Sequence, residues 1–289
     1  MALRTTAIAL TVCLLITGPL SASPEQRPER VAVLNWGLAQ TLLALGVEPV
    51  AIADMHGYRK WVGRPPLPDR TVDVGRRIEP NLDVLAGTDP DLILMSGYYN
   101  RARERLATIA PTETLRIHAP DHEGNALENS LRIAAQLADR LGRGQAMRRL
   151  RADLDRAIAD LAEHTEAGES VYVVGFEDAH HVRVVGAPGL FDAVLQRAGL
   201  NNAWQGGASY WGFSLVPIER LDRAADHIVV IEPVPQKAQR LMASSPIWQA
   251  LPAVREGNVH RLEPIWSYGG VPAAIQFAEH LGAAIDGDD

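Results

Sequence analysis

The stretch TVDVGRRIEPNLDVLAGTDPDLILMSGYY, residues 71–99, decides the fold. Its pattern predicts a strand, a turn, a helix, a second strand and a second turn. An apolar alternation leads into Gly75, where the chain can turn without steric cost. Pro80 marks the expected start of the helix, because proline fits the first helical turn. The run LILM, residues 92–95, is typical of a buried parallel strand.

Polar side chains follow both predicted strands. Arg76 and Arg77 come after the first strand, and Tyr98 and Tyr99 come after the second. Ligands of open parallel α/β sheets bind outside the carboxyl ends of the strands. We therefore expect the two cations and the two phenols to reach one crevice from the ends of neighbouring strands.

Composition and charge exclude several classes of protein. The chain has 289 residues, of which 47% are hydrophobic, so it can form two domains or one large one. Its formal net charge is −7, and residues 1–22 carry only Arg4, so their removal takes the charge to −8. This acidic balance argues against nucleic-acid binding, which favours basic faces.

The N-terminus has the features of a secretory signal peptide. Arg4 precedes an apolar run at residues 7–16, and small residues follow it as far as Ala22. The run is too short to span a bilayer comfortably. We expect cleavage after Ala22, with an uncleaved anchor as the alternative. Cys13 is the one cysteine, so the mature chain is expected to have neither a disulfide nor a thiolate metal site.

The rest of the chain predicts an α/β fold with two lobes. Strands alternate with helices on both sides of residues 145–164, which favours mainly parallel sheets flanked by helices. Residues 145–164 are rich in helix formers and contain no turn signal, so they predict one long rigid connecting helix. The alternative is a surface helix of one larger domain. The predicted units are a signal peptide at 1–22, an N-terminal lobe at 30–141, a connecting helix at 142–166 and a C-terminal lobe at 167–287.

Two connections carry their own predictions. Residues 56–69 contain three prolines together with Tyr58 and Trp61, which predicts a long functional loop. Pro217 is expected to begin a helix that runs to Leu221.

Motifs for catalysis and for resident metals are missing from the sequence. His118 and His122 are four residues apart, but Pro120 would break any helix that aligned their rings. The sequence contains no Gly-x-Ser-x-Gly elbow, no phosphate-binding loop and no dinucleotide fingerprint. We therefore expect a protein that is not an enzyme and that holds no metal or cofactor of its own.

Aromatic residues concentrate in the loops of both halves. A lone loop tryptophan is more often a local plug than a ligand contact, but several from both halves are typical of a ligand pocket. Their rings supply large rigid contact area at low entropic cost. The loop aromatics are Tyr58, Trp61, Tyr98, Tyr99, Trp204, Tyr210, Trp211, Phe213, Trp266 and Tyr268.

Short segments, taken together and in order, resemble the periplasmic ferric-hydroxamate siderophore-binding proteins of Gram-negative ABC importers. In the first half they are LALGV (43–47), YRKWV (58–62), PPLPD (65–69), DVGRRIEPNL (73–82) and IAP (109–111). In the second half they are NAWQG (202–206), YWG (210–212) and WQALP (248–252). The resemblance implies two lobes, a shallow ligand cleft between them and a limited hinge motion.

The same resemblance assigns roles to individual residues. The implied ligand contacts are Arg77, Tyr99, Trp61, Trp211 and Trp266, with Tyr268 nearby. Arg76 and Tyr98 depart from the family pattern, so which member of each pair faces the ligand is left open. Glu104 matches an acidic residue that docks on the membrane permease, and Glu219 is assigned to that role in the second lobe.

The chemistry of a ferric hydroxamate fits these residue types. Its iron is already surrounded by chelator oxygens, so the protein need not supply a metal ligand. Arginine can donate to two of those oxygens with a planar fork that lysine lacks. We therefore expect a monomeric periplasmic protein that captures ferric hydroxamate siderophores and delivers them to an inner-membrane ABC permease. The alternatives are a binding protein for another siderophore class, cobalamin or haem and, more remotely, a periplasmic hydrolase or a structural domain.

Overall fold

The computed structural model describes residues 27–118, 124–221 and 224–287. The expected signal peptide at 1–22 lies outside these residues, and so does His122. Among the described helices, none is both long and apolar enough to cross a membrane.

The first sheet consists of five parallel strands in the order β3-β2-β1-β4-β5. Strand β1 pairs with β2 on one side and with β4 on the other, so the winding of the chain reverses at β1. A crevice opens at such a switch point. The strands are β1 (Val31–Val33), β2 (Ala51–Ile52), β3 (Val72–Asp73), β4 (Leu92–Met95) and β5 (Thr112–Thr114).

Side-chain caps decide where the helices of this lobe begin. Helix α1 (Trp36–Ala44) starts after Asn35, whose side chain accepts from the Leu38 amide at 3.1 Å. The next helix is α2 (Met55–Trp61), and it is followed by α3 (Leu82–Gly87). Helix α3 begins after Asn81 and not at Pro80 as expected, because the Asn81 side chain accepts from two amides of the first turn. A 3₁₀ segment (Gly97–Ala102) then leads into α4 (Arg103–Ala107).

The prediction of a long loop at residues 56–69 is wrong over its first half. Helix α2 occupies that half, because the Asp54 side chain accepts from the Gly57 amide at 2.9 Å and caps a helical turn. The remainder, which contains the three prolines, is a loop. Trp61 is consequently the last residue of a helix and not a loop residue.

The predicted long connection is present as a helix of 20 residues. Helix α5 (Ala126–Arg140) ends before Gly142, whose positive φ of 66° lets the chain turn. Helix α6 (Gly144–Glu163) follows and packs against α5 and against the C-terminal helix α11 (Val271–Asp286). The prediction of two α/β lobes joined by one long helix is confirmed.

The second sheet is mixed. Its order is β11-β10-β6-β7-β9, and β8 pairs with β6. Strands β6, β8, β10 and β11 are parallel, whereas β7 is antiparallel to β6 and β9. The strands are β6 (Ser170–Phe176), β7 (His181–Val185), β8 (Asn201–Asn202), β9 (Phe213–Pro217), β10 (His227–Ile231) and β11 (Val259–Leu262). The helices are α7 (Leu190–Arg197), α8 (Gln236–Ser244), α9 (Pro246–Ala250) and α10 (Pro252–Glu256).

The predicted helix at residues 217–221 is wrong. Pro217 ends strand β9, and only a 3₁₀ segment (Ile218–Arg220) follows it. The register of β9 with β7, in which Val216 pairs with Val182, draws this segment into the sheet edge. Proline is tolerated on such an edge, because an edge strand does not use every backbone N–H.

One apolar core runs through both lobes. Phe191 of α7 and Phe277 of α11 stack with ring centroids 4.3 Å apart, and α11 also contacts α1 of the first lobe. Three residues of this core also line a hollow that lies between the lobes: Trp36, Phe191 and Ile265. The shared core therefore forms the floor of that hollow.

Candidate ligand-binding cleft

A cleft of about 1140 Å³ opens at the carboxyl ends of the first-sheet strands. The turns after all five strands line it, and five aromatic residues of the second lobe cover its other side: Tyr210, Trp211, Phe213, Trp266 and Tyr268. A second hollow of about 540 Å³ continues it between the lobes. The two share Arg77, Trp211, Phe213, Trp266 and Tyr268, so we describe them together as the cleft.

The sequence led us to expect the arginine pair and the tyrosine pair at the ends of neighbouring strands. That prediction is wrong. Strands β3 and β4 are separated by β2 and β1, because the chain winds outward in both directions from β1. Tyr99 nevertheless bridges the gap. Its hydroxyl contacts the Leu34 carbonyl at 3.0 Å and makes a short hydrogen bond to the Arg77 carbonyl. The backbone after β1, β3 and β4 is therefore held together at one point.

Arg77 presents unused hydrogen-bond donors to the cleft. Its guanidinium carbon lies 4.1 Å from the ring centroid of Trp36 and 5.4 Å from that of Trp266. Burial lowers the pKa of Arg77, and the charges of Tyr99, Asp54 and Tyr98 oppose that change. Within the described ranges, no hydrogen bond or ion pair from this guanidinium to another residue is found. A half-buried cation with free donors is suited to an oxygen-rich ligand.

The two tyrosines occupy different environments. Tyr99 is 5% exposed, and burial raises its pKa to about 12 although the charge of Arg77 opposes this. Its single hydroxyl proton is directed at backbone carbonyls. Tyr98 is 67% exposed and packs edge-on against Tyr99 at 5.4 Å. Both residues line the cleft, and which of them contacts a ligand stays a prediction.

Replacing each tyrosine by phenylalanine should separate a structural hydroxyl from a solvent-facing one. Tyr99→Phe leaves the Leu34 and Arg77 carbonyls without their donor, so we expect the free energy of unfolding to fall by about 1–3 kcal/mol. Tyr98→Phe should change it by less than about 0.5 kcal/mol. Urea denaturation of both variants measures the difference. Equal losses in the two variants would contradict this assignment.

Four aromatic rings form a continuous surface, which we call the aromatic shelf: Trp36, Trp211, Trp266 and Tyr268. Trp266 lies 5.0 Å from Trp36 and 5.0 Å from Tyr268, and Tyr268 lies 5.5 Å from Trp211. All three pairs are edge-to-face, the arrangement that aromatic quadrupoles favour. The rings come from both lobes, so the shelf joins the two walls of the cleft.

Every predicted ligand residue lines the cleft. Arg76, Arg77, Tyr98, Tyr99, Trp211, Trp266 and Tyr268 surround its larger part, and Trp61 lies at the smaller hollow. Trp61 is 36% exposed, and the Lys60 ammonium lies 4.9 Å from its ring. Contact of any of these side chains with a ligand remains a prediction.

Sequence reasoning missed Trp36 and His118 as cleft residues. Trp36 begins α1, is 3% exposed and donates its indole N–H to the Ala53 carbonyl at 2.9 Å. It looked like an ordinary apolar helix residue. Its position directly after β1 was the available signal, because the crevice forms there. Trp204, by contrast, is a buried local plug, and its indole N–H faces the Gly207 carbonyl.

The expected docking carboxylates are both at the surface. Glu104 lies in the first turn of α4, and Glu219 lies in the 3₁₀ segment after β9. Both side chains are exposed, so a partner protein can reach them. Contact of either carboxylate with a permease stays a prediction.

Side chains of the metal-binding types do not form a cluster in the described part of the chain. Among those residues, no group of three or more His, Cys, Asp or Glu side chains is placed to hold a metal ion. The larger part of the cleft supplies arginine, phenol, imidazole and indole groups together with two carboxylates, Asp54 and Asp73. Asp54 caps α2, and Asp73 accepts from the Met55 and Gly75 amides, so both carboxylates already have backbone partners.

Known proteins are similar to this chain in sequence over most of its length. The iron(3+)-hydroxamate-binding protein FhuD of Escherichia coli is 33% identical over 263 residues, which cover 90% of this chain and 88% of that protein. The Fe(3+)-citrate-binding protein YfmC of Bacillus subtilis is 25% identical over 241 residues, which cover 81% of this chain and 72% of that protein.

A solved structure agrees with these relatives. The Fe3+–Desferal-bound siderophore-binding protein FhuD from Vibrio cholerae superposes with a TM-score of 0.80 at 27% identity, covering 89% of this chain and 97% of that one. The family model described as periplasmic binding protein matches residues 31–265, which include every described strand and all of the cleft lining except residues 266–268. The chain therefore belongs to the periplasmic binding protein family.

Proposed function

We propose that this protein captures ferric hydroxamate chelates in the periplasm and delivers them to an inner-membrane ABC permease. The observation that carries the proposal is Arg77, a half-buried guanidinium between two tryptophans whose donors find no partner among the described residues. Its planar fork suits two oxygens of a chelate. The aromatic shelf suits the apolar linkers of the same ligand.

The charge of the cleft favours hydroxamates over catecholates. Its charged lining residues balance, with four cations and four carboxylates: Arg76, Arg77, Arg116 and Arg183, and Asp54, Asp73, Glu177 and Glu232. A ferric tris-hydroxamate centre is formally neutral, whereas a ferric tris-catecholate is triply negative and requires an excess of cations. The relatives include proteins named for hydroxamate and for citrate complexes of iron, and the larger identity belongs to the former.

Membership of the periplasmic binding protein family supports transport rather than turnover. Delivery to a permease requires a docking surface, for which exposed Glu104 and Glu219 are the proposed contacts. The apolar core that the lobes share opposes a wide opening, so we infer a limited hinge motion. Secretion through the signal peptide at 1–22 and a monomeric state complete the proposal.

Titration of tryptophan fluorescence tests the ligand class. We expect ferric desferrioxamine B and ferrichrome to quench the fluorescence of the shelf tryptophans. The expected Kd is about 1 μM or lower, and 1 μM corresponds to a binding free energy of about −8 kcal/mol. The controls are iron-free desferrioxamine B and free tryptophan, which corrects for absorption by the complexes. Tight binding of ferric enterobactin, cobalamin or haem without hydroxamate binding would overturn the proposal. Conversion of a bound ligand into a new product would instead favour a hydrolase.

A further inference from the structure

His118 joins the two lobes at the cleft. It follows strand β5 and lines the larger part of the cleft. Its ring centroid lies 5.9 Å from that of Trp211 and 6.1 Å from that of Tyr268, both of which belong to the second lobe. The imidazole is thus an extension of the aromatic shelf that carries polar atoms.

Neither of those polar atoms makes a hydrogen bond of acceptable geometry to a described residue. Both ring nitrogens are shielded from solvent and find no partner of acceptable geometry among the described residues, although the Gly269 backbone faces the ring. A buried polar atom without a partner costs about 1–3 kcal/mol, so such atoms are rare and usually have a reason. Gln40 and Thr114 also hold such atoms within the described ranges, but neither lines the cleft.

The imidazole is neutral in its surroundings. Burial lowers the pKa of His118 to about 4, although the Gly269 backbone opposes the change. A neutral ring carries one N–H donor and one acceptor nitrogen. It can therefore bond either a carbonyl or an amide N–H without bringing a charge to the ligand.

The position of His118 indicates which part of a ligand it meets. Contacts run from Arg77 to Trp266, from Trp266 to Tyr268 and from Tyr268 to His118. The chain of contacts from Arg77 to His118 thus passes through two aromatic rings, and the proposed function places Arg77 at the iron–oxygen centre. A chelate centred at Arg77 would approach His118 with its organic linkers, which carry amide groups in desferrioxamine B.

We propose that His118 is a specificity-determining residue, which exchanges a hydrogen bond with the organic backbone of the bound chelate. This inference rests on the proposed function. Trp211 contacts the ring and is 41% exposed, so a movement of this side chain is the proposed way for a ligand to reach the nitrogens. Arg77 then binds any chelate of the class, while His118 favours those with an amide in reach.

His118→Phe tests this, because phenylalanine keeps the ring contacts and removes both nitrogens. We expect the Kd for ferric desferrioxamine B to rise about threefold to tenfold, the value of one neutral hydrogen bond. The Kd for ferric tris-acetohydroxamate, which has the iron centre but no amide linker, should stay within twofold. His180→Phe, on an exposed turn, is the matched control and should change neither. An unchanged Kd for desferrioxamine B, or equal losses for both chelates, would overturn the proposal.

Nitrogen NMR of ¹⁵N-histidine-labelled protein decides the same point without a variant that must fold. With diamagnetic gallium in place of iron, desferrioxamine B should shift one ring nitrogen of His118. Ring nitrogens that do not move in a saturated complex would overturn the inference and leave the proposed function standing. Failure of the wild-type protein to bind any hydroxamate would overturn both.

Discussion

Arg77→Ala should weaken the binding of ferric desferrioxamine B by about tenfold to a hundredfold. A hydrogen bond from a charged group contributes about 1.5–3 kcal/mol, and one such bond accounts for this range. The guanidinium is held over Trp36 and Trp266 with its donors unused by described residues, so little reorganisation precedes binding. Isothermal titration calorimetry measures the loss directly.

Two variants serve as controls for Arg77. Arg77→Lys keeps the charge but loses the planar fork, so we expect most of the affinity to be lost. Arg76→Ala removes an exposed neighbouring cation and should cost less than about threefold. If Arg76→Ala proves the more damaging change, the assignment within the arginine pair is reversed.

Trp266→Ala should weaken binding by about thirtyfold or more, as truncation of a central aromatic contact commonly does. Trp266 packs against Trp36 and Tyr268 and lies beneath the Arg77 guanidinium. Its loss therefore removes contact area for the ligand and also one of the two rings that hold Arg77. A fluorescence-independent method such as calorimetry is required, because the variant lacks a tryptophan.

Trp61→Ala is the matched comparison for Trp266. Trp61 lies at the smaller hollow and is 36% exposed, so we expect a loss below about tenfold. A circular dichroism melt of both variants checks that the fold persists. If Trp266→Ala binds with wild-type affinity, the aromatic shelf does not contribute to ligand binding.

The sequence was sufficient for the architecture because its signals are local. The LILM run predicted β4, and the uninterrupted helix formers after Gly142 predicted α6. The arginine and tyrosine pairs were placed at strand ends by the same pattern. What the sequence did not supply was strand order, so the separation of β3 and β4 by two other strands was not anticipated.

The errors have identifiable physical causes. Because the Asp54 side chain caps helix α2, the first half of the predicted loop is helical. Because β9 pairs with β7, Pro217 belongs to a strand and not to a helix. Trp36 and His118 were not predicted as cleft residues, because their contacts with the second lobe depend on the three-dimensional fold. The spacing of apolar residues along the sequence does not reveal contacts between the lobes.

A crystal structure of the protein with ferric desferrioxamine B tests the central claim most directly. The account predicts the chelate on the aromatic shelf, with the Arg77 guanidinium donating to oxygens of the iron centre. A chelate bound elsewhere, or one in the cleft that Arg77 does not contact, would contradict it.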